Sequence, residues 1–175
     1  MLIGAVETGC DFRALVRQHQ AMVFSIALHF LRDRATAEEV AQEVFFSLHR
    51  NLHQIESPAH AAAWLRKVAA QRAIDEGRRR SRRPQVALED VGEPAAGAKP
   101  SDPLLSDLLR KLVATLPEAP RMVMVLRYQE DLDPAEIAAA LEMPVATVKS
   151  HLQRSLAMLR GKLVRRGIGE SGWTG

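Results

Sequence analysis

Apolar side chains return every three or four residues over most of this chain, and the places where that rhythm fails divide it into elements. Phe12–Leu31 reads as one helical segment. A second begins at "TAEE", where Thr36 and Glu39 stand at capping-box spacing, and Val40, Ala41, Val44, Phe45, Leu48 and Leu52 then form a stripe of 3.6-residue period. A third is launched near Ser57-Pro58, since proline is favoured in a first turn. Trp64, Leu65, Val68, Ala69 and Ile74 can face inward along it, and Gly77 weakens its end.

The rhythm stops over "RRPQVALEDVGEPAAGAKPSDP", which is rich in Pro, Gly and Ala and reads as a linker. Beyond it Leu104, Leu105, Leu108, Leu109, Leu112 and Leu116 make a new apolar stripe. "LPEAPRMVMVLRYQE" follows as a helix with Pro117 and Pro120 at its start. The pattern predicts an all-α chain: a helical domain over 11–83, a flexible linker over 84–103 and a second helical domain over 104–167. A first domain near 70 residues has little core to spare, so docking on a larger partner would help it.

The densest local signals lie in "DPAEIAAALEMPVATVKSHLQRSLAMLR". Asp133 is placed as a cap, Pro134 at the first helical position and Glu136 at the box position. Ile137, Ala138 and Leu141 point inward, and Pro144 halts the helix by disfavouring helical geometry at Met143. The next helix aligns Val145, Val148, Leu152, Leu156, Leu159 and Leu163 on one face, with Thr147, Lys149, Ser150, Gln153, Arg154 and Arg160 opposite. A short helix, a tight turn and a second helix with a polar, basic face make a helix-turn-helix, whose second helix enters the DNA major groove. Arg154 and Lys149 can read guanine edges or hold phosphate; Gln153 can read adenine; Thr147 and Ser150 can serve either.

Charge supports that reading by its distribution more than by its total, a net +3. Arg66–Arg83 carries eight Arg/Lys against two acids, and Val145–Arg166 carries six with no acid. Between them Pro84–Asp107 carries one Lys against five acids. Two basic segments around an acidic spacer suit two contacts on one polyanion, although basic helix ends also complement helix dipoles. The most apolar run, Ala21–Leu31, is too short for a membrane span, and "MLIGAVETGC" lacks the basic start of a signal peptide, so a cytoplasmic location is the default. A single cysteine, Cys10, excludes an internal disulfide framework and reads as inert. His49 and His53 at i,i+4 spacing, with His60 following, lack the cysteine or carboxylate partners of a metal site, so neither metal nor cofactor is expected. No phosphate loop, nucleophile elbow or paired-acid motif is present, which argues against an enzyme.

Three segments resemble the extracytoplasmic-function sigma factors of bacterial RNA polymerase, in the family's order. "DPAEIAAALEMPVATVKSHLQRSLAMLR" is similar to the family's "EIA…L…P.GTVKSRL.RA...LR" region, and "DRATAEEVAQEVFFSLHRNL" resembles its "D.A.AEDLVQE.F...W" helix. "AWLRKVAAQRAIDEGRRR" resembles its "WL..IARN.AID..RRR" helix. The resemblance implies a specificity subunit that binds core RNA polymerase and promoter DNA, usually governed by an anti-sigma factor, with no membrane insertion. It places polymerase contacts on Glu39, Gln42 and Glu43; for Glu39 the helix cap is a competing role. It places contacts to the opened minus-ten strand on Trp64, Lys67, Gln71 and Arg72, with phosphate contacts from Arg78, Arg79 and Arg80. Trp64 also reads as a buried core indole. The minus-thirty-five duplex falls to Thr147, Lys149, Ser150, Gln153 and Arg154. The chain departs from the pattern at Gln71, where Asn is common, at Ala146, where Gly is frequent, and at His49, where Trp is frequent. The alternatives are a stand-alone helix-turn-helix regulator, which would bind DNA without polymerase, and a helical adaptor that binds only protein.

Overall fold

A computed structural model describes residues 11–82 and 103–168, in two compact units divided near Val86. Among the described residues every regular element is helical. Cys10, Arg83, the expected linker through residue 102 and the tail beyond Ile168 lie outside them.

The first unit holds α1 (Phe12–Leu31), α2 (Arg34–Asn51) and α3 (Pro58–Ser81), each packed on the other two. Asp11 caps α1 by accepting from Arg13 N–H, and Arg32 ends it in left-handed geometry, φ 57°, with its N–H on the Leu28 carbonyl. The cap of α2 corrects the sequence expectation. Asp33 occupies it, accepting from Thr36 N–H at 2.8 Å, and the helix starts at Arg34. Thr36 is therefore already inside the first turn, and Glu39 has no capping role. Ser57 caps α3 as expected, accepting from His60 N–H with Pro58 in the first turn.

Val23, Ile26 and Phe30 of α1 and Val40, Val44 and Leu48 of α2, two helices packed on each other, are all almost fully buried. Helix α3 contributes Leu65 and a run of small residues, Ala61, Ala69, Ala70 and Ala73, which lets the other two helices approach closely. Gly77 continues that run. A Cβ there would lie 3.0 Å from Cε1 of the buried Phe30 ring, so it admits the ring, and α3 runs four residues past it instead of weakening.

The second unit holds α4 (Pro103–Ala114), α5 (Glu118–Tyr128), α6 (Pro134–Leu141) and α7 (Val145–Val164). Helix α5 buries Met122 to Leu126 without a break, as a helix surrounded by others must. Leu112, Leu116, Met124 and Leu159 form a core cluster, with Leu108, Val113, Leu152 and Leu163 packed on it. Leu109, expected inward, stands 36% exposed.

Candidate nucleic-acid and polymerase interfaces

The helix-turn-helix is built by α6 and α7. Asp133 Oδ1 accepts from Ala135 N–H at 2.7 Å and Glu136 N–H at 2.9 Å, while Glu136 Oε2 accepts from Asp133 N–H at 2.9 Å. This closed capping box, with Pro134 in the first turn, sets where α6 begins. Its end differs in cause from the sequence reading. Glu142 turns left-handed, φ 53°, and both its N–H and that of Met143 bond the Ala138 carbonyl. Pro144 then opens α7, its carbonyl accepting from Thr147 and Val148.

Val148, Ser155 and Leu159 are the buried residues of α7, with Leu152 and Leu163 partly covered. Val145 and Leu156, placed on the inner face from sequence, are 39% and 41% exposed and sit at its rim. The opposite side carries the expected polar set. Thr147, Ser150 and Arg154 follow at i, i+3, i+7, and Lys149 and Gln153 lie one turn apart beside them. Lys149, Gln153 and Arg154 are exposed, Thr147 and Ser150 half-buried. No acid lies between Val145 and Arg166, so Lys149 and Arg154 have no neighbour on α7 to neutralise them. No side chain caps the N-terminus of α7, a position that suits a phosphate.

On α3, Trp64, Lys67, Gln71 and Arg78 recur at i, i+3, i+7, i+14 and share one outer stripe. Trp64 and Lys67 are half-buried and Gln71 and Arg78 exposed, so the indole is not the fully buried core residue that was one reading of it. Arg72 and Arg79 border the stripe. Arg79 pairs with Glu76 at 2.7 Å, and Arg72 lies 3.7 Å from Glu43 and 3.5 Å from the Ser47 hydroxyl. Arg80 points the other way, toward α2, donating to Asp33 Oδ2 at 3.1 Å and Thr36 Oγ1 at 3.0 Å. The Asp33 carboxyl is held below its usual range, first by Thr36 N–H and then, against the opposing effect of burial, by the Thr36 hydroxyl and the Arg80 charge.

Glu39, Gln42 and Glu43 are exposed on the side of α2 opposite Val40, Val44 and Leu48. The same face holds a residue that the apolar-stripe reasoning passed over: Phe46, 67% exposed. Its signal in the sequence is a large apolar side chain at a polar position of the helix period.

Comparison with known proteins covers both units. The model of "Sigma-70 region 2" matches residues 15–83, and that of "Sigma-70, region 4" matches residues 106–159. The ECF RNA polymerase sigma-E factor of Escherichia coli K12 is 30% identical over 184 residues, covering 95% of this chain and 96% of that one. The probable RNA polymerase sigma factor RfaY of Xanthomonas campestris is 29% identical over 168 residues, which span 90% of this chain but 42% of that longer protein. Among solved structures, the sigma factor RpoE of Bartonella quintana, crystallised with the anti-sigma factor NepR, matches with a TM-score of 0.70. It is 19% identical and covers 87% of this chain and 96% of that one, a likeness of fold.

Proposed function

The chain belongs to the extracytoplasmic-function sigma factors of the sigma-70 family, and from that premise we propose how its residues divide the work. As a sigma factor it binds core RNA polymerase and directs promoter-specific initiation of transcription. The first unit docks on polymerase through Glu39, Gln42 and Glu43. It meets the separated minus-ten strand with Trp64, Lys67, Gln71, Arg72, Arg78 and Arg79, where amide, cationic and aromatic groups can hold bases and phosphates. Arg80, committed to Asp33 and Thr36, fixes the end of α3 that presents Arg78 and Arg79. The second unit lays α7 in the major groove of the minus-thirty-five duplex, with Thr147, Lys149, Ser150, Gln153 and Arg154 toward the DNA.

The observation that carries this reading is the pairing of a capped helix-turn-helix, acid-free along α7, with an upstream three-helix unit whose α3 is basic at its end. Nothing in either unit favours a stand-alone regulator. We read the chain as a binding subunit with no catalysis of its own, working in the cytoplasm where polymerase and promoter meet. The RpoE neighbour is held by an anti-sigma factor, and by that likeness this chain takes an inhibitor of the same kind.

Gel filtration with sigma-free core RNA polymerase tests the assignment. Co-elution, followed by promoter-specific transcription from the reconstituted holoenzyme, is the expected result. Tight duplex binding by the isolated chain without co-elution would return the stand-alone regulator.

A further inference from the structure

Phe46 is out of place for a folded unit of this size. Its neighbours on either side are put to structural use: Phe45 is half-buried on the inner side, and Ser47 and Leu48 are buried. Of the four phenylalanines between Val23 and Ser47, Phe24, Phe30, Phe45 and Phe46, only Phe46 is left mainly in water, at 67% exposure against 1% for Phe30. Lone exposed apolar side chains are common, so exposure by itself decides nothing. Register does. On α2, Gln42 precedes Phe46 by four residues, Glu43 by three and Glu39 by seven, so all four occupy one face about two turns long.

That face has a definite chemistry: two carboxylates and an amide around one aromatic ring, with the Arg72 guanidinium 3.7 Å from Glu43 at its edge. It complements a helical surface that presents basic side chains around an apolar recess. Such a combination has the layout of a binding hot spot, where a desolvated aromatic anchor is ringed by polar contacts that exclude water.

We propose that Phe46 is the apolar anchor of the face that docks on core polymerase, seated in a recess between basic side chains of a polymerase helix. The proposal rests on the assignment of Glu39, Gln42 and Glu43 to that contact and extends it. The carboxylates orient the approach and answer to salt; the ring supplies the contact that salt does not weaken. Because Phe46 is exposed, removing it leaves the fold intact, so a binding deficit would belong to the interface.

The test uses the full chain titrated into sigma-free core polymerase, with the wild type compared with Phe46→Ala, Phe46→Leu and the triple variant Glu39→Ala/Gln42→Ala/Glu43→Ala. Phe46→Ala is expected to weaken binding roughly tenfold to a hundredfold, as truncation of an aromatic hot spot does. Phe46→Leu should recover most of it, at an unchanged melting temperature. The Phe46→Ala deficit should hold when salt is raised, whereas the deficit of the triple variant should shrink. Wild-type affinity for Phe46→Ala beside a weakened triple variant would overturn the anchor and leave the docking face standing. Wild-type affinity for all the variants would overturn both. If sedimentation showed a concentration-dependent dimer that Phe46→Ala dissolves while polymerase binding is unchanged, the ring would belong to a contact between copies and the proposal would fail.

Discussion

Arg80 and Asp33 are 47 positions apart in the chain and meet at 3.1 Å, joining the end of α3 to the cap of α2. The same guanidinium reaches the Thr36 hydroxyl, so one side chain ties together the two groups that start α2. Both ends of the pair are partly covered, with 35% of the Arg80 side chain and 25% of the Asp33 side chain accessible. It should therefore exceed the surface ion-pair range. Arg80→Ala is expected to cost about 1–2 kcal/mol, in the range of hydrogen bonds to charged groups. A double-mutant cycle with Asp33→Ala should return a coupling of similar size. Urea unfolding measures both, and additive losses would mean the contact contributes nothing.

Acid should destabilise the first unit in two stages. His19 is buried in α1 with no partner for Nε2, and its pKa is lowered from 6.5 first by burial and then by the Arg66 charge. Between that lowered value and 6.5 the unfolded chain binds the proton and the folded chain resists it, so stability falls as pH drops below about 6.5. Asp33, also lowered, acts in a lower window. Its contribution is complete above the ordinary carboxylate range and is lost as pH falls through its folded value. Melting temperature followed against pH should show the His19 stage, and His19→Leu should flatten that stage while leaving the Asp33 stage in place.

Gly77→Ala should destabilise, although alanine is the better helix former by about 1 kcal/mol. The new Cβ would stand 3.0 Å from Cε1 of Phe30, a residue that is 1% exposed. Overpacking of that kind costs about 1–3 kcal/mol, so the net change should be a loss of up to about 2 kcal/mol. A gain in the unfolding midpoint would show that Phe30 can shift.

On the DNA side, Arg154→Ala should weaken the holoenzyme's upstream contact by roughly 1–3 kcal/mol on its selected element if the side chain reads a base edge. Lys149→Ala, if it holds phosphate, should weaken selected and scrambled duplexes alike and lower the salt slope by about one. Competition binding at several salt concentrations separates the two. Equal loss on both duplexes for Arg154→Ala would reassign it to phosphate.

Much of this architecture could be read from neighbouring residues. The start of α6 is legible because Asp133, Pro134 and Glu136 satisfy one another's backbone groups within one turn. The limits of α1 and the start of α3 were similarly plain. The polar face of α7 followed from period alone, as did the exposure of Glu39, Gln42 and Glu43. Period could not separate Val148, fully buried, from Val145 and Leu156 at the rim of the same stripe, because the width of the covered face depends on which helices pack against it.

What the sequence by itself determined were the helices, their local caps and the polar faces they present, since each depends on groups no more than two turns apart. What only the tertiary structure decided were relations across helices. Spacing pointed to Thr36 as the start of α2, but the backbone path out of α1 leaves Asp33 extended beside Thr36 N–H and within reach of Arg80, and Asp33 is the cap. Gly77 looked like a helix weakener until Phe30 supplied the ring that needs its missing side chain. Arg80 looked like its neighbours Arg78 and Arg79 until folding turned it toward α2. A side chain's role there is fixed by a partner that only the packed chain brings within a few ångströms.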